Sequence, residues 1–498
     1  MAKQARFLTT VTWAYTLYWG ERGISSSLYF LLAGLLGPRD FGIMAIATVY
    51  IAGFQLFLDQ GLAAAIIQRN ELDDEHLSSS FWFNIFLSII LVALSVGFSR
   101  AWAIFNHTPE LQNMVCVLSI CIFIEALSIV QTAILRRKLN FRGLSIRVNS
   151  ATSVGAIVGL AMAFHGFGAW SLVGQQITRD IAALILLMQI SSWRPMFRFS
   201  LRKLADLLSF SIPNFFGRLA GFFEGQMASI VLGAVFGPVP VGLYRLADKA
   251  VGTVINLSRA SIHTASFPLF SRLQSMPAQF RNSVLTSVHM GAVVSLPPLA
   301  GLAMISGPLL AKFGSSWLPA TQALEVLCIA GMMMTFADFT GPVLQALGRP
   351  RQSAVLDWTS TLTGILMLLA AAFIVRHDSV QTQVLGTSLA RLATVLFLAV
   401  PMYTLIFIRA TGISAANILN TVLPSIIASV AVVLAVELVR SLGMEATIGP
   451  TVALVAEVAS GAVAGIGVLL LMDSKVRSLV GPIRDEFFGR LSTRPRKP

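Results

Sequence analysis

The chain has 498 residues, 55% of them hydrophobic and only 12% charged. A soluble domain carries about 25% charged residues, and apolar runs recur here from end to end, so a water-soluble multidomain protein and a disordered chain are both excluded. The net charge of +13 could suit nucleic acid, but the basic residues cluster in short segments between apolar runs, the pattern of a polytopic membrane protein.

A membrane-spanning helix needs about 20 mostly apolar residues. Fourteen spans are expected, near 9–36, 41–67, 78–104, 112–134, 146–165, 168–190, 208–236, 239–268, 283–311, 318–346, 355–375, 380–407, 417–439 and 447–472. The alternating strands of a membrane barrel are not seen. Lys3 and Arg6 precede the first span without a small-residue cleavage site, so that span is expected to be an uncleaved helix. With the N-terminus inside, inner segments hold 24 of the 36 Lys and Arg residues and outer segments five, Arg39, Arg100, Lys312, Arg376 and Arg440. This bias predicts an even number of spans and both termini in the cytoplasm. A basic tail at 474–498 is expected to lie on anionic lipid headgroups; nucleic acid is not an expected partner. Cys116, Cys121 and Cys328 fall inside apolar runs and read as small hydrophobes rather than a disulfide framework.

The two halves resemble each other. Gly37-Pro38 and Gly42 recur as Gly237-Pro238 and Gly242, and Thr152, Gly155, Leu160 and Phe164 recur as Thr361, Gly364, Leu369 and Phe373. Six spans per copy make the repeat parallel, with halves related about the membrane normal and a cavity between them. The expected organisation is an N-lobe at 1–192 (spans 1–6), an interfacial elbow at 193–207, a C-lobe at 208–410 (spans 7–12), spans 13 and 14 at 411–473, and the tail. The fold class is therefore all-α, with about fourteen transmembrane helices in two pseudo-symmetric six-helix lobes plus two C-terminal helices.

Little points to covalent chemistry. The chain lacks a Gly-Lys dipeptide and so lacks a phosphate-binding loop of the ATPase type, and its six histidines are scattered, so neither a metal site nor a cofactor is expected. Gly461, Gly465 and Gly467 superficially match a dinucleotide fingerprint but sit in an apolar span, where helix packing is the better reading. Outer loops are too short for a catalytic domain, so an enzyme is not expected.

Ionisable residues at bilayer depth are costly and face cavities or partners. In span 1, Arg22 shares a polar, aromatic stripe with Tyr15, Tyr18 and Tyr29. In span 8, Arg245, Lys249, Asn256, Arg259 and His263 share one helical face, and span 7 adds Asn214 and Arg218. Guanidinium groups bind two phosphate oxygens at once, so a diphosphate headgroup is a fitting ligand; a structural ion pair is the competing reading for any one of them. Asp59 and Glu125 are the candidates for ion coupling, and the repeat offset sets Asp59 against Arg259 as a gate pair. Gly217, Gly221, Gly225, Ser229, Gly233 and Gly237, small residues at every fourth position, suggest close, sliding helix contact along span 7. Pro297-Pro298, Pro268, Pro342 and Pro401 mark expected kinks.

Leu36-Gly-Pro-Arg-Asp-Phe-Gly42, Phe54-Gln-Leu-Phe-Leu-Asp59-Gln-Gly61, Gly242-Leu-Tyr244 and Phe267-Pro-Leu-Phe-Ser-Arg-Leu273 resemble the polysaccharide transporters, the Wzx-type oligosaccharide flippases of the multidrug/oligosaccharidyl-lipid/polysaccharide exporter superfamily. The resemblance covers roughly residues 5–410. One departure is Gln226, near the middle of span 7, where the family often has an acid. The resemblance implies a MATE-like two-lobe fold in the bacterial inner membrane and export of an undecaprenyl-diphosphate-linked oligosaccharide by alternating access, for lipopolysaccharide or exopolysaccharide synthesis. Arg22, Arg218, Arg245 and Arg259 would neutralise the diphosphate and Tyr15, Tyr18 and Tyr29 would stack on sugars. Membrane lipids and a glycan polymerase or export complex are the implied partners. A drug/cation antiporter, a lipid II flippase and, less favoured, a membrane glycan polymerase or ligase stay open as alternatives.

Overall fold

The computed structural model describes residues 2–59, 61–69, 71–443, 449–473 and 476–477; for helical residues 2–12, 14, 15, 18, 59, 209–214, 216 and 257–268 it describes the backbone alone. The expected basic tail, apart from Val476 and Arg477, lies outside the described residues. In hydrocarbon every backbone N–H and C=O needs a partner within the chain, and a helix supplies these inside one segment. The described residues accordingly form helices and no strand. In chain order these are α1 (Ala2–Leu35), α2 (Pro38–Asp59), α3 (Leu62–Gln68), α4 (Asp74–Phe105), α5 (Leu111–Leu118), α6 (Ile120–Arg137), α7 (Phe141–Phe164), α8 (Trp170–Ile190), α9 (Leu201–Phe236) and α10 (Pro238–Leu273). They continue with α11 (Pro277–Met304), α12 (Ser306–Ala311), α13 (Thr321–Ala337), α14 (Thr340–Ala346), α15 (Pro350–Ile374), α16 (Val380–Thr394), α17 (Val400–Thr411), α18 (Ala415–Ser441) and α19 (Pro450–Met472).

Eleven helical passages among the described residues are long and apolar enough to cross a membrane. They stand at expected spans 2–5, 7 and 9–14. Spans 1, 6 and 8 correspond to α1, α8 and α10, the helices that carry Glu21–Arg22, Arg179–Asp180 and the cationic stripe; fourteen spans are compatible with this arrangement. Several passages are not single rods. Before Pro342 the helix breaks at Asp338-Phe339, and before Pro401 it widens into a π turn at Val395–Ala399. Proline has no N–H and its ring crowds the carbonyl four residues back, which both distortions accommodate. By contrast, α11 is assigned as one helix through Pro297-Pro298.

The chain divides into two compact units. Unit 1 comprises Met1–Leu246, Phe313–Pro319 and Leu368–Thr387; unit 2 comprises Ala247–Lys312, Ala320–Met367 and Ser388–Pro498. Within unit 1 the repeated glycine–proline corners meet. A Cβ on Gly42 would lie 1.7 Å from the Pro238 carbonyl oxygen, and one on Gly242 would lie 1.9 Å from that of Pro38. The first turns of α2 and α10 thus touch backbone to backbone, each through the other's glycine. At this corner Gly237 has φ 84°, a left-handed value that glycine adopts without strain. The 313–319 segment also belongs here. Trp317 is fully buried, its Nε1–H donates to the Ala33 carbonyl at 2.9 Å, and its ring meets Phe41 edge-on at 5.5 Å. Ala33 is among the last four carbonyls of α1, which have no partner inside the helix.

Small residues also set the α7–α8 contact: Cβ atoms on Gly155 and Gly159 would lie 2.8 Å from Gln175 atoms. The glycine ladder of α9 behaves differently from expectation. Only Gly233 is tightly packed, against Asn106 and Ile46; at Gly217, Gly221 and Gly225 no described atom lies within 4 Å of the Cβ position. The four-residue period fixed a face but not a neighbour. In unit 2, Phe270, Phe280, Val284, Phe339 and Phe407 form a buried cluster, and Gly461 and Gly465 of α19 pack on Val432 and Val436 of α18, consistent with reading those glycines as packing residues.

Because a methyl group at either corner overlaps a backbone carbonyl, G42A and G242A are each expected to lose at least about 3 kcal/mol of stability. G221A, with open space at its Cβ, should change stability by less than about 1 kcal/mol. Thermal unfolding of the three variants in detergent checks this, and a wild-type midpoint for G42A would refute the close approach.

Candidate functional site

The expected cation stripe rests on a continuous helix, α10. Arg245 is half-buried in unit 1, where its Nη2 donates to Gln226 Oε1 of α9 and its Nη1 reaches the Gly225 carbonyl at 3.5 Å. A neutral amide satisfies guanidinium N–H groups without cancelling their charge. Gln226, the departure from the family's acid, therefore leaves Arg245 cationic. Arg218 of α9 and Arg22 of α1 are exposed. Tyr29 packs edge-on against Phe41 at 5.0 Å, which ties this ring of the expected aromatic stripe to the α1–α2 corner. The side chains of Tyr15, Tyr18, Asp59 and Arg259 lie outside the described residues, and with them the expected Asp59–Arg259 gate pair.

Further along α10, in unit 2, Lys249 and Asn256 are half-buried. Asp248 pairs with Arg391 of α16 at 2.6 Å. Gly174 and Arg179 recur in the second half as Gly386 and Arg391, and Arg179 is also held by an aspartate: Arg179 Nη2 lies 3.0 Å from Asp180 Oδ1, and Gln176 donates to Asp180 Oδ2 at 3.0 Å. Glu125 of α6 is half-buried, and the Cys121 thiol, one turn before it, lies near Asp180. The candidate coupling carboxylate thus shares a polar cluster with the Arg179–Asp180 pair inside unit 1. Sequence reading assigned Arg147 to an inner segment; the structure turns it inward on α7, where Nη1 donates to Thr132 at 2.7 Å and Nε to the Ala183 carbonyl at 3.0 Å. An arginine followed by a small-residue helix gave no sign of which way it would turn.

Comparison with known proteins bears on these motifs together. The family profile described as "Polysaccharide biosynthesis protein" matches residues 31–322, more than half of the chain, and spans both glycine corners, the elbow and Arg245. The chain belongs to the polysaccharide biosynthesis protein family. Among its relatives, the succinoglycan biosynthesis transport protein ExoT of Rhizobium meliloti (strain 1021) is 25% identical over 73% of each chain. The teichuronic acid biosynthesis protein TuaB of Bacillus subtilis (strain 168) is 30% identical over 63% of this chain and 65% of its own. The lipopolysaccharide biosynthesis protein WzxC of Escherichia coli (strain K12) is 24% identical over 64% of this chain and 65% of its own. Among solved structures, the lipid II flippase MurJ in an inward closed conformation superposes with a TM-score of 0.69 at 14% identity, covering 94% of this chain and all of MurJ. An inward-facing multidrug MATE transporter gives 0.55 at 17% identity over 81% and 96% of the two chains. The fold is the one shared by MurJ and this MATE transporter, and the protein is a multi-pass membrane protein.

In this family member the elbow is a built structure. Trp82 Nε1–H donates to the Met196 carbonyl at 2.8 Å, and the Met196 and Ser200 N–H groups donate to Ser78 and Ser79 hydroxyls at 3.1 and 2.9 Å. The three consecutive serines at 78–80, fully buried at the start of α4, were the overlooked signal that an irregular segment would dock there through its backbone N–H groups. Beside them a polar cavity of about 720 Å³ is lined by Arg69, Asp73, His76, Arg202, Lys203 and Asp206, among others. Asp73 caps α4 by accepting the His76 backbone N–H at 2.9 Å. It also pairs with Lys203 at 2.7 Å, while Arg69 pairs with Asp206 at 2.5 Å.

The Lys203 hydrogen bond holds the Asp73 carboxyl well below the usual carboxylate range, and the Arg69 hydrogen bond lowers Asp206 likewise. A depressed carboxylate stabilises the fold above its unfolded pKa and loses that contribution as pH falls through the folded value. The elbow clamp should therefore hold unchanged from neutral pH to about pH 4 and loosen only below that. Both pairs are substantially exposed, so solvent screens them and neither carries much of the stability of the fold. Hydrogen exchange at residues 192–205, corrected for its intrinsic pH dependence, should rise less than about fivefold in D73N at neutral pH; loosening of the wild type already at pH 6 would contradict the assignment.

Proposed function

We propose that the protein is a flippase that exports an undecaprenyl-diphosphate-linked oligosaccharide across the bacterial inner membrane by alternating access, in lipopolysaccharide or exopolysaccharide synthesis. Membership of the polysaccharide biosynthesis protein family supports the pathway class, and relatives named for succinoglycan transport and lipopolysaccharide biosynthesis support the substrate class. The observation that carries the reading at residue level is Arg245, a cation on α10 whose partner is the amide of Gln226 and not a carboxylate. Such a group retains its charge for an incoming anion, and a diphosphate is the anion that a lipid-linked sugar presents. In this reading Arg22, Arg218 and Arg259 share the diphosphate, Lys249 and Asn256 extend the polar track, and Tyr15, Tyr18 and Tyr29 face sugar rings. Asp59 and Glu125 are the proposed ion-coupling or gating carboxylates.

Transport of an intact lipid-linked sugar breaks no bond, so the proposal calls for neither a catalytic residue nor a cofactor. The bias of basic residues supports cytoplasmic termini, and the substrate would meet the glycan polymerase on the opposite face.

Loss of the protein should trap lipid-linked oligosaccharide on the cytoplasmic leaflet, protected from a membrane-impermeant glycosidase. Wild type should restore exposure, whereas R245A should slow it by about 10- to 100-fold, the equivalent of one or two charge-assisted hydrogen bonds. Q226E, which places a carboxylate against Arg245, should slow it comparably by neutralising the cation. Oligosaccharide that reaches the outer leaflet of the deletion strain but stays unpolymerised would instead indicate a polymerase or ligase.

A further inference from the structure

Three large apolar side chains stand exposed on the elbow, all within unit 1. Phe197 is 92% exposed, Phe199 52% and Leu201 73%. Ser200 between the last two is extended, at φ −131° and ψ 113°, so Phe199 and Leu201 project to one side. Phe197 stacks on Trp82 at 5.1 Å and leaves its other face open. Two cations are interleaved with them, Arg198 and Arg202, both exposed. Neither forms an ion pair among the described residues. The acids nearby act elsewhere: Asp73 pairs with Lys203, Asp206 with Arg69, and the Glu71 charge acts on Arg69. Arg194 differs from these two, because it donates to the Ser191, Trp193 and Met188 carbonyls. An apolar patch with unpaired cations at its rim marks a contact surface.

The level of this patch is set by α4. That helix has 32 residues and is long and apolar enough to cross a membrane. Its length is about 48 Å, against about 30 Å of hydrocarbon and about 40–45 Å with the headgroups. Centred in a bilayer, it passes from headgroups into hydrocarbon about six residues from its start, which falls between Ser78 and Trp82. The elbow docks on those residues: Ser78 and Ser79 accept the Met196 and Ser200 N–H groups, and Trp82 donates to the Met196 carbonyl. Irregular backbone at that depth persists only where the protein itself satisfies it, and the buried serines do so here.

We propose that the elbow is a membrane-inserted foot of unit 1. Phe197, Phe199 and Leu201 enter the boundary between headgroups and acyl chains of the cytoplasmic leaflet, and Arg198 and Arg202 bind the phosphates of anionic lipids there. A guanidinium takes two phosphate oxygens at once, and a basic residue at an anionic membrane surface gains about fivefold in binding. This surface shares no residue with the cation track of α10, so it stands or falls apart from the substrate.

The test reads depth and lipid charge rather than transport. Full-length protein carrying C116A, C121A and C328A, with one nitroxide attached through F197C, R198C, F199C or L201C, is placed in phosphatidylcholine vesicles with or without an equal share of phosphatidylglycerol. In the mixed vesicles, collision with oxygen, which dissolves in lipid, should exceed collision with a water-soluble nickel chelate at 197, 199 and 201, with the order reversed at 198. Preference for the nickel chelate at the three apolar positions would overturn the insertion and leave the face to a soluble protein. In the chain with its native cysteines, phosphatidylglycerol should slow hydrogen exchange at residues 192–205 by about 5- to 25-fold, and R198Q/R202Q should abolish the slowing. Both arginines are exposed, so the double variant should fold as the wild type does. Equal exchange in the two kinds of vesicle, a slowing that the double variant keeps, or the same slowing from inorganic phosphate with phosphatidylcholine alone would overturn the headgroup assignment.

Discussion

Two helix starts touch through glycine, and much of unit 1 is arranged around that contact. Gly42 faces the Pro238 carbonyl and Gly242 faces that of Pro38, so the same short motif, used twice, supplies both halves of a backbone-to-backbone crossing. No side chain could occupy either position. The approach brings α1, which leads into the first corner, within reach of Trp317, and that indole then satisfies a carbonyl that the end of α1 leaves open. Phe41 and Tyr29 fill the remaining space with edge-on rings.

The second organising fact is what the arginines do. Many that lie between spans are bonded to the ends of helices. Arg137 reaches the Ile66 carbonyl of α3, Arg194 that of Met188 at the end of α8, Arg440 that of Met304 at the end of α11, and Arg281 that of Thr411 at the end of α17. Helix C-termini carry open carbonyls and partial negative charge, so a guanidinium placed there is doubly favourable. Against that background Arg245 stands out, because its side-chain partner is the neutral amide of Gln226 on α9 rather than a helix end.

The elbow joins these themes. Its chain carries no regular structure from Ser191 to Ser200, yet its N–H groups are taken up by the buried serines of α4 and its charges by Asp73 and Asp206. Phe197, 92% exposed, stacks on Trp82. A linker between expected lobes is thus an ordered element of unit 1, held by pairs that sit in water and by hydrogen bonds that do not.

The spans, the glycine–proline corners and the packing role of Gly461 and Gly465 could be read from the sequence, because each follows from local composition and period. In hydrocarbon the backbone must bond to itself, and that demand writes a helix into any long apolar run. The sequence also marked Arg245 and Glu125 as residues that lipid would not tolerate. It did not reveal that Arg147 turns inward, that the α9 glycines before Gly233 face open space, or that Asp248 pairs with Arg391. Those outcomes depend on how each helix is rotated about its axis and which helix lies beside it. Trp317 and Ala33 are 284 residues apart. A period fixes which residues share a face; only packing decides what that face meets.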